Sequence, residues 1–92
     1  MPDTFASEKV VIQNSAGFHV RPITAFVQTA LKYKSEIRIK YNGQTVNGKS
    51  PLECTMLAAP FGAEFVIEAE GEDAQEAIKE LTKLVKNKFG IQ

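Results

Sequence analysis

The spacing of hydrophobic residues changes several times along the chain, and each change marks a separate element of secondary structure. The first apolar run, Val10 to Ile12, predicts a strand over residues 9–13, which the turn-forming residues 14–17 end. From Val20 onward the apolar positions recur at the spacing of one helix face. They are Ile23, Phe26, Val27, Ala30 and Leu31. The chain is therefore expected to open with a strand and an amphipathic helix.

The middle of the chain has the pattern of a β-hairpin. Residues 36–41 alternate, with Ile37, Ile39 and Tyr41 on one face and charged residues on the other, as in a strand buried on one side. The Asn-Gly pair at residues 42–43 predicts a type I′ turn, because both central positions of that turn need a positive φ. The four residues that follow are the expected return strand.

A short helix and another strand come next. Ser50, Pro51 and Glu53 stand in the order of a capping box with proline in the first turn, so they predict a helix start, and Pro60 ends the helix. The apolar side of this helix consists of Leu52, Met56 and Ala59. Residues 64–70 alternate again, which predicts a strand whose glutamates form a solvated face.

The last segment predicts a second long helix. Asp73 and Glu76 have the spacing of another capping box, and Gly90 is the expected carboxyl-terminal cap. The apolar stripe between them consists of Ala74, Ala77, Ile78, Leu81, Leu84 and Val85. One-sided strands with one-striped helices predict a two-layer α+β fold, an antiparallel sheet with helices on one face. With 92 residues the chain has room for one domain, residues 1–92.

The charge balance and the cysteine content of the chain indicate which classes of partner and which cellular compartment to expect. Lys and Arg number 11 against 11 Asp and Glu, which disfavours nucleic acid or an anionic membrane as the main partner. The one cysteine, Cys54, cannot form an internal disulfide, and paired metal-ligand spacing is absent from the sequence. Neither a signal peptide nor an apolar stretch near the roughly 18 residues of a membrane span is recognisable. We therefore expect a cytoplasmic protein with no metal and no cofactor.

The single histidine, His19, is the first candidate for chemistry. It stands where a glycine-containing turn meets the first helix, and an imidazole offers a nucleophilic nitrogen near neutral pH. A helix start presents unpaired N–H groups, and the Arg21 guanidinium matches phosphate oxygens. A phosphoryl group on His19 is then expected to contact the amides of Val20 and Arg21 and the Arg21 side chain. The alternative is a histidine that is merely solvated or caps the helix.

Ser50 is the second candidate, and two apolar residues beside His19 are candidates for docking. Ser50 is either only the N-cap of its helix, or also the target of a kinase, since a phosphate is favourable at a helix N-terminus. Phe18 and Val20 lie outside the helical stripe, so we expect both to be partly exposed in a docking patch. Phe61 fits either the core or a contact surface.

Residues 17–22, GFHVRP, resemble the Gly-aliphatic-His-x-Arg-Pro signature of the HPr family, the histidine-containing phosphocarriers of the bacterial sugar phosphotransferase system. The likeness extends over most of the chain, through residues 27–30, 41–43, 46–50, 62–64 and 69–73. Two departures stand out. Pro51 follows Ser50 where the family usually has an aliphatic residue, and residues 57–61 replace a stretch near the active centre that commonly has Gly after Leu.

The resemblance implies a fold, a chemistry and partners. The fold is an open-faced β-sandwich of order βαββαβα with a four-stranded antiparallel sheet. His19 would accept a phosphoryl group on Nδ1 from Enzyme I and pass it to sugar-specific IIA domains, with Arg21 assisting. Ser50 would be the serine modified by HPr kinase/phosphorylase, and Leu52 would belong to the docking surface. A transient carrier of this kind is expected to be a monomer.

Two other functions remain open at this point. A carrier of the regulatory, nitrogen-related branch would share the same chemistry, although the Lys49-Ser50 pair favours the carbon branch. A small-ligand regulatory module is the third possibility, because mixed α+β sandwiches often bind metabolites. That module would bind its ligand even after His19→Ala, whereas a carrier would lose phosphoryl acceptance.

Overall fold

The computed structural model of the protein describes residues 4–91 and follows the expected order of elements. The elements are β1 (Phe5–Val11), α1 (Val20–Ala30), β2 (Glu36–Tyr41), β3 (Gln44–Asn47), α2 (Pro51–Met56), β4 (Glu64–Glu70) and α3 (Ala74–Lys86), followed by a 3₁₀ turn over Lys88–Gly90. The βαββαβα order is therefore confirmed. None of the helices within this described part of the chain combines the length and the apolar content that crossing a bilayer requires.

The four strands form one antiparallel sheet in the order β1-β4-β2-β3. The central strand β4 pairs with β1 on one side and with β2 on the other, so that Phe65 lies opposite Val10 and Ile67 lies opposite Ile39. The inward residues of each strand are buried together with the apolar sides of α1 and α3. This two-layer arrangement confirms the α+β fold with helices on one face of the sheet.

The outer face of the sheet matches the predicted solvated row of glutamates only in part, since Glu64 and Glu70 are 61% and 58% exposed but Glu68 is shielded. Arg38 binds three carboxylates, those of Glu36, Glu68 and Glu70, at 2.9, 3.1 and 3.2 Å, and Lys40 also contacts Glu68. The Glu68 side chain is only 13% exposed. Burial raises the pKa of Glu68, but its hydrogen bonds to Arg38 and Lys40 outweigh that effect and lower the pKa below its usual value.

Strand β1 is longer than predicted and begins earlier. It runs over Phe5–Val11, not residues 9–13, and Ile12 is fully buried just beyond its end. Ile12 stays tied to the loop before β4, because its N–H donates to Ala63 and its carbonyl accepts from Gly62. The first half of β1 escaped prediction because most of its side chains are exposed and give no apolar alternation.

The first helix and the hairpin agree closely with their patterns. In α1 the buried residues are Pro22, Ile23, Phe26, Val27 and Ala30. Leu31 was expected in the stripe but caps the helix and is exposed, because the chain turns away there. The hairpin turn has positive φ at both Asn42 (52°) and Gly43 (81°), as a type I′ turn requires.

The helix caps agree with the predictions only in part. Ser50 caps α2 by accepting a hydrogen bond from the Glu53 N–H at 3.2 Å, but the Glu53 carboxylate accepts from the Asn47 N–H, so the capping box is half formed. Asp73 makes no capping hydrogen bond at the start of α3. Gly90 does not cap α3 either, because the helix ends at Lys86 and Asn87 is its C-cap.

Candidate functional site

His19 is the N-cap residue of α1, and its imidazole takes no part in capping. Its backbone is extended (φ −108°, ψ −162°), and its carbonyl accepts the Ile23 N–H at 2.8 Å. The side chain makes no hydrogen bond to the first turn and is partly exposed. The capping role that the sequence left open is therefore wrong, and the ring is accessible from outside.

The first turn of α1 provides the positive end of a helix dipole beside this ring. Val20 and Arg21 are exposed, and their N–H groups belong to the turn that has no intrahelical acceptors. The first turn contains no acidic residue that would neutralise it. Among residues 4–91, no carboxylate forms an ion pair with Arg21. The amides and the guanidinium are thus available to an anion held near His19.

The turn before His19 is fixed by two hydrogen bonds and one glycine. The Gly17 N–H donates to Asn14 at 2.9 Å, and the Phe18 N–H donates to Ala59 at 2.9 Å. Gly17 has a φ of 78°, and a Cβ there would lie 2.7 Å from the Ala59 carbonyl oxygen. A side chain at residue 17 would therefore push apart the two segments that hold His19 in place.

A shallow depression of about 410 Å³ lies beside His19. One wall belongs to the start of α1, and the other belongs to the end of α2 and the loop after it. The second wall consists of Thr55, Ala58, Ala59 and Pro60. Hydrophobic spacing did not assign these residues to the site, although the family resemblance placed residues 57–61 near an active centre. Ala58, which follows the C-cap Leu57 of α2, has a left-handed backbone conformation (φ 51°) that nothing in its sequence indicates.

Phe18 is not part of an exposed docking patch, so that prediction is wrong. Its side chain is 3% exposed and packs against three aromatic rings, those of Phe26, Phe65 and Phe89, at centroid distances of 5.3–5.8 Å. The Gly17 turn directs Phe18 inward. Phe18 therefore supports the adjacent His19 from the core.

Four other large apolar side chains are exposed at the start of α1, on α2 and in the loop after α2, and we call them the apolar rim. Val20 is 71% exposed and lines the depression, and Phe61 follows the lining residue Pro60. Leu52 and Met56 are 73% and 65% exposed on one face of α2, on either side of Thr55 in sequence. The expected exposure of Val20 is confirmed, and Phe61 lies on the surface.

Ser50 lies at the end of α2 that is remote from the depression. A six-residue helix is about 9 Å long, so the hydroxyl is separated from the loop after α2 by nearly that length. The capping interpretation of Ser50 is confirmed by its bond to the Glu53 N–H. The neighbouring Lys49 ammonium donates to the Tyr33 carbonyl at 2.7 Å, which ties this end of α2 to the turn after α1.

Cys54, in the middle of α2, is unsuited to nucleophilic chemistry. Burial and the nearby Glu53 charge raise the pKa of the Cys54 thiol to about 11. At neutral pH the group is therefore protonated, and its side chain is fully buried.

Comparison with known proteins gives one consistent result. The family described as "PTS HPr component phosphorylation site" matches residues 6–87. The phosphocarrier protein HPr of Neisseria meningitidis serogroup A is 40% identical over 83 residues, which are 90% of this chain and 93% of that protein. The phosphocarrier protein HPr of Borreliella burgdorferi is 39% identical over 80 residues, 87% of this chain and 93% of that protein.

Solved structures agree with the sequence relatives. The crystal structure of HPr-C-His from Thermoanaerobacter tengcongensis superposes with a TM-score of 0.91 at 38% sequence identity. The superposition covers 95% of this chain and 98% of that chain. The similarity therefore includes the whole sheet and all three helices.

Proposed function

The chain belongs to the HPr family, the phosphocarrier proteins of the phosphotransferase system, and we propose that His19 is the residue that carries the phosphoryl group. The observation that supports this most is the placing of the only histidine, partly exposed, at the positive end of α1. Arg21 lies on the same turn as a second source of positive charge.

The transfer step follows from the chemistry of a neutral imidazole. The lone pair of His19 Nδ1 attacks the phosphorus of the donor's phosphoryl group. An N–P bond forms on His19 while the bond from phosphorus to the donor breaks, and the donor keeps that electron pair. The Val20 and Arg21 amides and the Arg21 guanidinium would hold the equatorial oxygens, on which the charge is spread.

A carrier must release its cargo as readily as it accepts it. Strong holding of the phosphorylated state would lower its transfer potential and slow the second step. One guanidinium on an exposed helix end, with no second cation in the first turn, fits that requirement. The open depression beside His19 leaves room for a partner's active site to approach.

The donor in this proposal is phospho-Enzyme I, and the acceptors are IIA domains of sugar permeases. The apolar rim would supply the contact surface, with Val20 and Leu52 as its most exposed members. Exposed apolar patches beside a reactive group are typical of transient docking sites. The chain's zero net charge is consistent with a contact in which apolar area provides most of the affinity.

The test is phosphoryl labelling by Enzyme I and phosphoenolpyruvate. Wild-type protein is expected to give an acid-labile, base-stable phosphoprotein with one phosphate per chain, because a phosphoramidate has those stabilities. His19→Ala is expected to abolish the label. A His19→Ala protein that remains folded and is still labelled would refute the assignment.

Ser50 is the proposed regulatory position. A phosphate on Ser50 would add about −1.5 to −2 charge beside Leu52, at the edge of the apolar rim. Asp is as good an N-cap as Ser, so Ser50→Asp should keep the stability while weakening acceptance from Enzyme I.

Ser50→Ala is the matched control for this charge effect. It should lower the free energy of unfolding by about 1 kcal/mol through the lost cap but leave the rate of acceptance unchanged. Equal acceptance rates for wild type and Ser50→Asp would show that Ser50 is only a helix cap. Urea titration and initial labelling rates separate the two effects.

A further inference from the structure

The carboxyl-terminal turn, residues 88–91, packs behind the site in an unfavourable backbone conformation. Lys88 and Phe89 have φ values of 53° and 58°, and neither is glycine. The left-handed region is costly for residues with a Cβ and persists only where surrounding contacts enforce it. Two such residues in succession indicate that contacts to this turn hold it in place.

Asn14 makes one set of these contacts. Its side chain is 1% exposed, and its Nδ2 donates to the Lys88 carbonyl at 3.0 Å and, more weakly, to the Ile91 carbonyl at 3.4 Å. The backbone carbonyl of the same residue accepts the Gly17 N–H. Asn14 thus connects the carboxyl-terminal turn to the backbone two residues before His19.

Phe89 makes the second connection, through aromatic packing. Its ring is 5% exposed and lies 5.8 Å from the Phe18 ring, at an interplanar angle of 35°. Phe18 immediately precedes His19 and also contacts the core rings of Phe26 and Phe65 edge-on. Phe89 is therefore the third ring that packs against Phe18, and it belongs to the carboxyl-terminal turn.

We propose that the carboxyl-terminal turn is a positioning element for His19, and that Asn14 and Phe89 are positioning residues for phosphoryl transfer. The His19 side chain makes no capping bond, so the backbone of residues 17–19 sets its direction. Asn14 acts on Gly17 and Phe89 acts on Phe18. This inference rests on the proposed role of His19, because transfer rates depend steeply on the alignment of the attacking nitrogen.

The experiment compares three variants of the full-length protein. Phe89→Leu removes the ring contact, and Asn14→Ala removes the side-chain hydrogen bonds. Phe5→Leu is the matched control, because it makes the same substitution at a phenylalanine that is 48% exposed at the start of β1 and lies outside the core. For each variant the His19 imidazole resonances are recorded by ¹H–¹⁵N NMR before phosphorylation, and kcat and KM are measured for acceptance from phospho-Enzyme I.

The proposal predicts shifted His19 imidazole resonances in Phe89→Leu and Asn14→Ala, with kcat lowered about tenfold or more and KM within about twofold of wild type. Phe5→Leu should keep the wild-type resonances and kcat. Amide NMR spectra establish whether Phe89→Leu is folded. If Phe89→Leu is unfolded, the resonances and kcat of Asn14→Ala test the proposal.

Two results would overturn the inference. In folded variants, unchanged imidazole resonances with unchanged kcat would show that the turn contributes only stability. A raised KM with normal kcat would assign the two residues to docking instead of positioning. Failure of the proposed function would look different, because wild-type protein would then carry no phosphate on His19 while the resonances could still shift.

Discussion

At the scale of single residues, the backbone conformations around His19 constrain the sequence more than hydrophobicity does. Gly17 has a positive φ and a carbonyl 2.7 Å from where its Cβ would be, so only glycine fits there. Ala58 has a φ of 51° just after Leu57, the C-cap of α2, which is the position where helices favour glycine. The departure from the family's usual Gly after Leu therefore puts a strained alanine in the wall of the site.

Replacing Ala58 with glycine is expected to stabilise the protein. The left-handed conformation costs alanine about 1 kcal/mol more than glycine, so Ala58→Gly should raise the free energy of unfolding by about that amount. Ala25→Gly, inside α1, should lower it by about 1 kcal/mol and serves as the control. Urea denaturation of both variants checks this, and a less stable Ala58→Gly would disprove the strain argument.

Arg21 is expected to contribute to the rate of transfer and hardly at all to stability. In the proposed mechanism, Arg21→Ala would remove a charge-assisted contact to phosphate of about 1.5–3 kcal/mol, so the transfer rate should fall roughly tenfold to hundredfold. Arg21→Lys keeps the positive charge but loses the planar guanidinium, so its transfer rate should lie between those of wild type and Arg21→Ala. Because Arg21 is exposed, the free energy of unfolding should stay within about 0.5 kcal/mol of wild type. Unchanged rates for Arg21→Ala in stopped-flow assays would remove Arg21 from the mechanism.

The residues that sequence reasoning found and missed differ in how local their signals are. His19, Val20 and Arg21 lie at the start of one helix, and the residues next to them in the sequence predict that start. Phe18 was misplaced because the turn at Gly17, and not helical periodicity, decides where its ring points. The contact of Asn14 with Lys88 joins positions 74 residues apart, so no local pattern could indicate it.

At the scale of elements, the helix starts show how one motif can have two outcomes. Ser50 caps α2 as its sequence predicts. Asp73 has the same kind of motif, but its carboxylate accepts hydrogen bonds from the backbone N–H of Lys34 and from the N–H and hydroxyl of Ser35. A tertiary contact between the α1–β2 turn and the start of α3 thus replaces the local cap. The sequence cannot reveal this, because the competing donors lie almost 40 residues away in the chain.

The Asp73 contact makes stability depend on pH in a defined direction. Hydrogen bonds from Ser35 and Lys34 hold the pKa of Asp73 below its usual range. The contribution of the ionised Asp73 carboxylate to the free energy of unfolding is therefore complete above the unfolded-state pKa of about 3.9. It is lost as the pH falls through the lower folded-state pKa. At pH 7, Asp73→Ala should lower the free energy of unfolding by about 2 kcal/mol.

Urea titrations of wild type and Asp73→Ala between pH 7 and pH 2 check this direction. The difference between the two proteins should be constant down to about pH 4 and shrink below it. Asp73→Asn keeps one acceptor oxygen, so its free energy of unfolding should lie between those of wild type and Asp73→Ala. A difference that grows as the pH falls would contradict the proposed role of the carboxylate.

At the scale of the whole molecule, the alternation of strands and the stripes of helices were sufficient to predict the layers. They could not give the strand order β1-β4-β2-β3, because β4 pairs with two strands that precede it in the chain by a helix or more. Resemblance to the HPr family gave the element order and the four-stranded antiparallel sheet, and the strand order comes from the structure alone. The same strand order lets α1 and α2 meet, which places the loop after α2 against His19.

NMR of the phosphorylated protein tests the central claim most directly. For this measurement the protein carries ¹⁵N-labelled histidine and is phosphorylated by Enzyme I and phosphoenolpyruvate. Phosphorus–nitrogen coupling in the NMR spectrum identifies the atom that bears the phosphate. The account predicts one coupled nitrogen, Nδ1 of His19, and an otherwise unchanged amide spectrum beyond the start of α1 and the loop after α2. Phosphate found on any other residue, with the His19 ring uncoupled, would contradict it.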